Sequence, residues 1–242
     1  MEKIIIFATH QDDEAIGTGG LIAQTLRKGA QLKIVYTTTE NDVRKEEAER
    51  VMKTVGVKKE SLIFYDYQTL KNKIIVKEAI IRTKKILRKE NPTNIFVPSY
   101  EGGHIDHDLT SYIVNETNEK RIPTYEYPLY NNYPLYIPIK IMRRYTVKWL
   151  PFIHIFPPLF IPRQTRVIKL RMSDEDIRIK RDMLKGYMSQ NKNDYLIKNF
   201  LYIDKFRLCP NYNYKRPPHG LLPLNYTITR KQSFKEFREL IS

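Results

Sequence analysis

Three features of this sequence predict an α/β fold, a doubly wound and mostly parallel sheet with a C-terminal α+β elaboration. Short apolar runs alternate with stretches of helical period through the first half, with little filler between them. The apolar runs are continuous rather than alternating, as in strands covered on both faces. The length of 242 residues, 41% of them hydrophobic, is enough for one sizeable core.

Lys3 to Ala8 is the first apolar run and reads as a buried strand. Ala15 to Lys28 follows as a helix that Gly29 stops. Leu32 to Tyr36 is a second strand, and Arg44 to Val55 a second helix closed by Gly56, with Glu46, Glu47, Glu49 and Arg50 on its wet side. A short strand at Leu62 to Tyr65 precedes a helix from Ile74 to Lys89, which ends before Pro92. Asn94 to Val97 is a fourth strand, Leu109 to Asn118 a helix, and Ile122 to Tyr127 a fifth strand. Strand, helix, strand in this order demands crossovers on both faces. Later, Ser173 with Asp176 forms a capping-box start for a helix through Ile177, Met183, Leu184 and Tyr187. The expectation is one domain over 1–242, with a core at 1–127, an aromatic and proline-rich cover at 128–165 and an elaboration at 166–242.

Forty-two Lys and Arg against 27 Asp and Glu give a net charge of +15, which favours a polyanionic neighbour or simply a solvated basic surface. The single Cys209 excludes an internal disulfide framework and fits a reducing compartment, so the cytoplasm is the expected location. Ile4 to Ala8 is too short for a signal-peptide core, and prolines break the apolar stretch from Trp149 to Ile161 below spanning length. That stretch, with Lys140, Arg143, Arg144 and Lys148 nearby, reads as a cover over the active-site mouth or as a peripheral contact with an anionic membrane.

The chemistry-bearing residues fall in two clusters. His10-Gln11-Asp12-Asp13-Glu14 leaves the first strand, and Gly102-Gly103-His104-Ile105-Asp106-His107 follows the fourth. Ligands of doubly wound sheets sit at the carboxyl ends of the strands near the point where strand order reverses, and strands one and four can be neighbours there. The clusters would then meet and offer imidazole and carboxylate donors to one divalent cation. Adjacent carboxylates repel unless a cation or proton relieves them. Asp13 is assigned with His10 and His107 to the metal, and Asp12 to accepting a proton from the activated water, although the residues alone leave Asp12 and Asp13 interchangeable. His104 would stabilise an oxyanion or protonate the leaving amine, and Asp106 would orient an imidazole. Glu14 reads as a helix-start residue, and Gly17 to Gly20 as close packing of the first helix on the first strand.

These residues carry a resemblance. His10-Gln11-Asp12-Asp13-Glu14 with Gly17 and Gly19-Gly20, together with His104-Ile105-Asp106-His107, resembles the LmbE-like family, which includes N-acetylglucosaminyl-phosphatidylinositol de-N-acetylases (PIG-L). It spans roughly Lys3 to Tyr127, with weaker matches at Arg44, Glu47, Asp66, Lys180-Arg181 and Tyr187-Met188-Ser189-Gln190. The resemblance implies a Rossmann-like fold and a zinc-dependent hydrolysis of an N-acetyl group on an N-acetylglucosamine-type conjugate. It implies His10, Asp13 and His107 as metal ligands, Asp12 as general base, His104 beside the tetrahedral intermediate, and Arg44 and Asp66 on sugar hydroxyls. Iron or cobalt would suit the same donors. Gln11 and Ile105 stand where the family usually has proline, and Gln11 is expected to loosen its turn.

Two other function classes compete. A metal-dependent phosphohydrolase or nuclease would use the same donors and the basic charge, but two-metal sites want more bridging carboxylates. A non-catalytic protein binding anionic glycan or lipid would have no need of paired aspartates. No nucleic-acid partner is expected. Neither a Gly-x-Ser-x-Gly elbow nor a Gly-rich phosphate loop with its lysine is present.

Overall fold

The computed structural model describes residues 2–102, 104–129, 167–190, 197, 200–218 and 224–242, with the side chains of the last stretch described from 233. The elements in chain order are β1 (Lys3–Ala8), α1 (Asp13–Arg27), β2 (Gln31–Tyr36), α2 (Asp42–Thr54), β3 (Leu62–Phe64), α3 (Lys73–Glu90), β4 (Asn94–Pro98), α4 (Ile105–Thr117) and β5 (Thr124–Tyr127). They are followed by β6 (Ile168–Lys169), α5 (Asp174–Gly186), β7 (Lys205–Leu208) and α6 (Leu224–Ile241). Strand order is β3-β2-β1-β4-β5-β7-β6. β1 to β5 run parallel, while β7 pairs antiparallel with both β5 and β6. The predicted α/β class and doubly wound order are therefore what the chain adopts, and the C-terminal strands extend the same sheet.

Side chains alternate across a strand, so β1 divides its residues between two cores. Ile4, Ile6 and Ala8 pack with Ala15, Ile22, Val51, Met52, Met183 and Leu184 from α1, α2 and α5. Ile5 and Phe7 pack on the other face with Val76, Ala79, Leu109, Ile113 and Phe237 from α3, α4 and α6. Both faces are covered, as the unbroken apolar runs require. Among the described residues no helix is long and apolar enough to cross a membrane.

The structure moves several expected features. α4 begins at Ile105, four residues before the expected Leu109, because the ring Nδ1 of His104 accepts the Asp106 N–H and caps it. Glu47 lies buried, not on the wet side of α2, because Ser189 donates to it from both its backbone N–H and its hydroxyl. The glycines of α1 do allow close packing, but not against β1. A side chain at Gly17 would strike the Tyr127 ring, one at Gly19 the Lys180 side chain, and one at Gly20 that of Met172. Those neighbours come from β5, α5 and the segment before α5.

Buried polar pairs fasten this C-terminal part. Lys180, fully buried, donates to Ile16 O and Ile203 O and pairs with Asp204, which accepts from Leu21 N. Arg207 pairs with Glu126, a carboxylate that also accepts from Tyr212. The Ser173–Asp176 capping box forms as predicted. Of the expected cover at 128–165, only 128–129 lie within the described residues.

Candidate metal and catalytic site

β1 and β4 are adjacent, so the turns at their carboxyl ends face each other at the switch in strand order. His10, Asp12 and Asp13 leave β1, while His104 and His107 open α4. His10 Nδ1 lies 2.9 Å from His107 Nε2 and 3.6 Å from Asp13 Oδ2, and His107 Nε2 lies 3.2 Å from the same Oδ2. Tetrahedral bonds of about 2.0–2.1 Å put ligand atoms roughly 3.3 Å apart. This triangle has that size, so the donors fit one small divalent cation. His104 also belongs to the group, since a ring nitrogen of each of the three histidines lies within 4.8 Å of the others. The fit is tighter with Asp13 than with His104.

The electrostatics also call for positive charge. Burial disfavours a charged His10, yet the hydrogen bond and charge of Asp13, with Asp12 and Asp106 beyond, raise its pKa. Burial would raise Asp13 too, but His107 and His10 beside it hold the carboxyl well below the usual range. His107 is driven down to about 3 by burial, which leaves the neutral imidazole that a metal needs. His104, lowered by burial and by the charge of His10, is the most open of the cluster, with 36% of its side chain accessible.

Asp12 stands apart from its neighbour. Its backbone has φ 137° and ψ −25°, a conformation that L-residues rarely adopt. Arg44 Nη2 donates to the Gln11 carbonyl at 2.9 Å and approaches Asp12 Oδ1 at 3.4 Å. Burial and the adjacent Asp13 push the Asp12 carboxyl up to about 8, against the pull of Arg44 and His10. Of the two adjacent carboxyls Asp12 therefore holds a proton more readily, while the imidazoles keep Asp13 ionised.

Several expectations need correction. Glu14 is not an ordinary helix-start residue. It is fully buried, accepts from Asp12 N and from the Tyr187 hydroxyl, and is pushed up to about 7 by burial. Asp106 meets an imidazole through its backbone N–H, which His104 Nδ1 accepts, and not through its carboxylate, whose nearest oxygen is 4.0 Å from that nitrogen. It accepts instead from Thr69 Oγ1 and Leu70 N, pinning the loop after β3 to the site. Gln11 does not loosen its turn. Its buried Nε2 donates to Thr38 O at 2.6 Å and ties the loop to the end of β2.

Arg44 lies in the site, but its guanidinium is engaged by protein. Glu40 takes Nη1, Gln11 and Asp12 share Nη2, and the Gln190 amide, turned so that its oxygen faces the guanidinium, accepts from Nε at 2.9 Å. Asp66, two residues beyond β3, has φ 60° and a half-exposed side chain paired with Lys45 at 2.6 Å. Glu40 and Gln190 were not identified by sequence reasoning. Glu40 belongs to no motif, and Gln190 showed only as the end of the Tyr187–Gln190 match.

A doubly wound sheet that gathers imidazole and carboxylate donors at its topological switch defines a Rossmann-like fold with a candidate cation site. Residues 5–118 match the family model described as GlcNAc-PI de-N-acetylase (PIG-L), the LmbE-like family that the two motifs resemble. A deacetylase of teicoplanin biosynthesis is similar in structure, with 14% identity, a TM-score of 0.62, and 85% of this chain and 96% of that one covered. The N,N'-diacetylchitobiose deacetylase of Pyrococcus horikoshii is 19% identical with a TM-score of 0.51, covering 86% and 84%. GalB of Pseudomonas putida KT2440, a 4-carboxy-2-hydroxymuconate hydratase, is 16% identical with a TM-score of 0.52, covering 91% and 100%. At such identities the likeness concerns the fold alone, and the hydratase shows that this fold hosts more than one reaction.

Proposed function

We propose that the chain is a metal-dependent amidohydrolase that removes the N-acetyl group from an N-acetylglucosamine-type conjugate, with zinc as the cation. The observation that carries this reading is the triangle of His10 Nδ1, Asp13 Oδ2 and His107 Nε2, with the Asp12 carboxylate beside it. The family-model match and the deacetylases among the structures it resembles support the amide substrate.

A cation held by His10, Asp13 and His107 would supply Lewis acidity and lower the pKa of a water to about 7. Asp12, beside the triangle and near Arg44, would accept the proton of the attacking water. The attack on the acetyl carbonyl places negative charge on its oxygen. His104 Nδ1 already accepts from the Asp106 N–H, so its proton sits on Nε2 in the neutral ring, ready to be donated to that oxygen. Collapse then needs a proton on the amine, which Asp12 returns. Arg44 we assign to positioning Asp12 rather than to the sugar, because its donors are already engaged. Asp66, half exposed in the loop after β3, is left as a rim contact for sugar hydroxyls.

Acetate release from a panel of N-acetylglucosamine conjugates, run beside a phosphodiester panel with the zinc-loaded protein, tests the reading. Acetate release by the wild type and none by Asp12→Asn is expected. Phosphodiester cleavage without acetate release would replace the reading with that of a phosphohydrolase.

A further inference from the structure

We propose that Gln11 is a positioning residue whose side-chain amide locks the turn out of β1 and so holds Asp12 where it can reach the reacting water. The inference rests on the reading of Asp12 as proton acceptor. His10 and Asp13 lie on either side of a two-residue span, Gln11-Asp12, and both are committed to the cation triangle. The conformation of that span alone therefore sets where the Asp12 carboxylate points.

Gln11 is completely buried, and its amide reaches across to the loop after β2. Nε2 donates to Thr38 O at 2.6 Å and lies 3.4 Å from Thr39 Oγ1. The anchor is itself rigid, because Thr38 donates to Thr9 O from both its backbone N–H and its hydroxyl, while Thr39 N donates to Tyr67 O. The amide thus ties the turn to a point already fastened to β1 and to the loop after β3. Arg44 grips the Gln11 carbonyl from the other side at 2.9 Å.

Immediately after this doubly held residue comes Asp12 with φ 137°. Such a backbone reverts to negative φ unless its surroundings over-determine it. Reversion would carry Asp12 N away from Glu14 Oε2 and its carboxylate away from Arg44. Packing alone does not account for an amide at position 11, since its Oε1 is buried with no hydrogen-bond partner among the described residues. An apolar chain of the same size would fill the space without that penalty. What the amide adds is the Nε2 bond.

Gln11→Leu, which keeps the volume and removes the donor, tests this in the zinc-loaded full chain. Displacement of a reacting group by about an ångström costs on the order of a hundredfold in rate. The expected result is a kcat some 10- to 100-fold lower, with KM and zinc stoichiometry unchanged. A crystal structure of the variant, read independently of turnover, is expected to show Asp12 out of its positive-φ conformation. Unchanged kcat, a loss of kcat accompanied by loss of zinc, or an Asp12 backbone that stays put would each overturn the proposal. If wild-type protein turns over no acetylated sugar, the proposed activity fails, yet the backbone comparison still decides the clamp. Gln11→Met serves in the same assays should the leucine variant not fold.

Discussion

At the scale of single residues, the site separates two adjacent carboxyls by environment. Asp13 faces two imidazoles and stays ionised, whereas Asp12, buried beside it, is pushed up to about 8. Asp12→Asn is expected to leave one zinc per chain and to cut kcat by at least about a hundredfold. Metal analysis of the variant beside its acetate release checks both halves. Glu14 supplies a pH prediction of a different kind. Its folded pKa, about 7, lies above the ordinary value of 4.5, so the unfolded chain releases this proton first as pH rises. Its contribution to stability is full below pH 4.5 and is lost as pH climbs through about 7, a swing of roughly 3 kcal/mol at most. Glu14→Gln cannot ionise. In chelator-treated protein, the Tm of the variant relative to wild type should therefore be higher at pH 8 than at pH 5, and a gap independent of pH would contradict the assignment.

At the scale of elements, β1, α1 and the switch between β1 and β4 were legible because buried parallel strands and glycine stops leave strong local patterns. The joining of His10 to His107 followed from topology, not from spacing. The setting of Glu14 and Glu47 was not legible, since their partners Tyr187 and Ser189 come from beyond α5, more than a hundred residues away in sequence. Local pattern makes an acidic residue on a helix look solvated, and only tertiary contact reveals otherwise. The same distance hid the partners of the α1 glycines. Gly17→Ala should push on the Tyr127 ring, whose hydroxyl donates to Phe7 O at 2.7 Å within β1. Overpacking of this sort costs about 1–3 kcal/mol. A thermal melt should show a Tm lowered by several degrees, and an unchanged or raised Tm would contradict the contact.

At the scale of the whole molecule, the sheet gathers three turns at one end. The β1 turn brings His10, Asp12 and Asp13, α4 brings His104 and His107, and the loop after β3 is pinned there by Asp106. The C-terminal part joins this assembly through the Lys180–Asp204 pair and through Tyr187, Ser189 and Gln190 behind the site. Lys180→Met removes one member of a fully buried pair and should be strongly destabilising, by roughly 3–5 kcal/mol. Urea denaturation measures it. A double replacement of Lys180 and Asp204 by apolar residues should recover much of that loss, because no buried charge is then left alone.

In the proposed site one cation is held by His10, Asp13 and His107, with His104 beside it and not among its ligands. Zinc stoichiometry by elemental analysis after dialysis, across single alanine variants of the four residues, tests it most directly. One zinc per chain is expected in wild type and His104→Ala, and loss or severe weakening of binding in the other three. Retention by Asp13→Ala together with loss in His104→Ala would contradict it and point to the three histidines as the metal site.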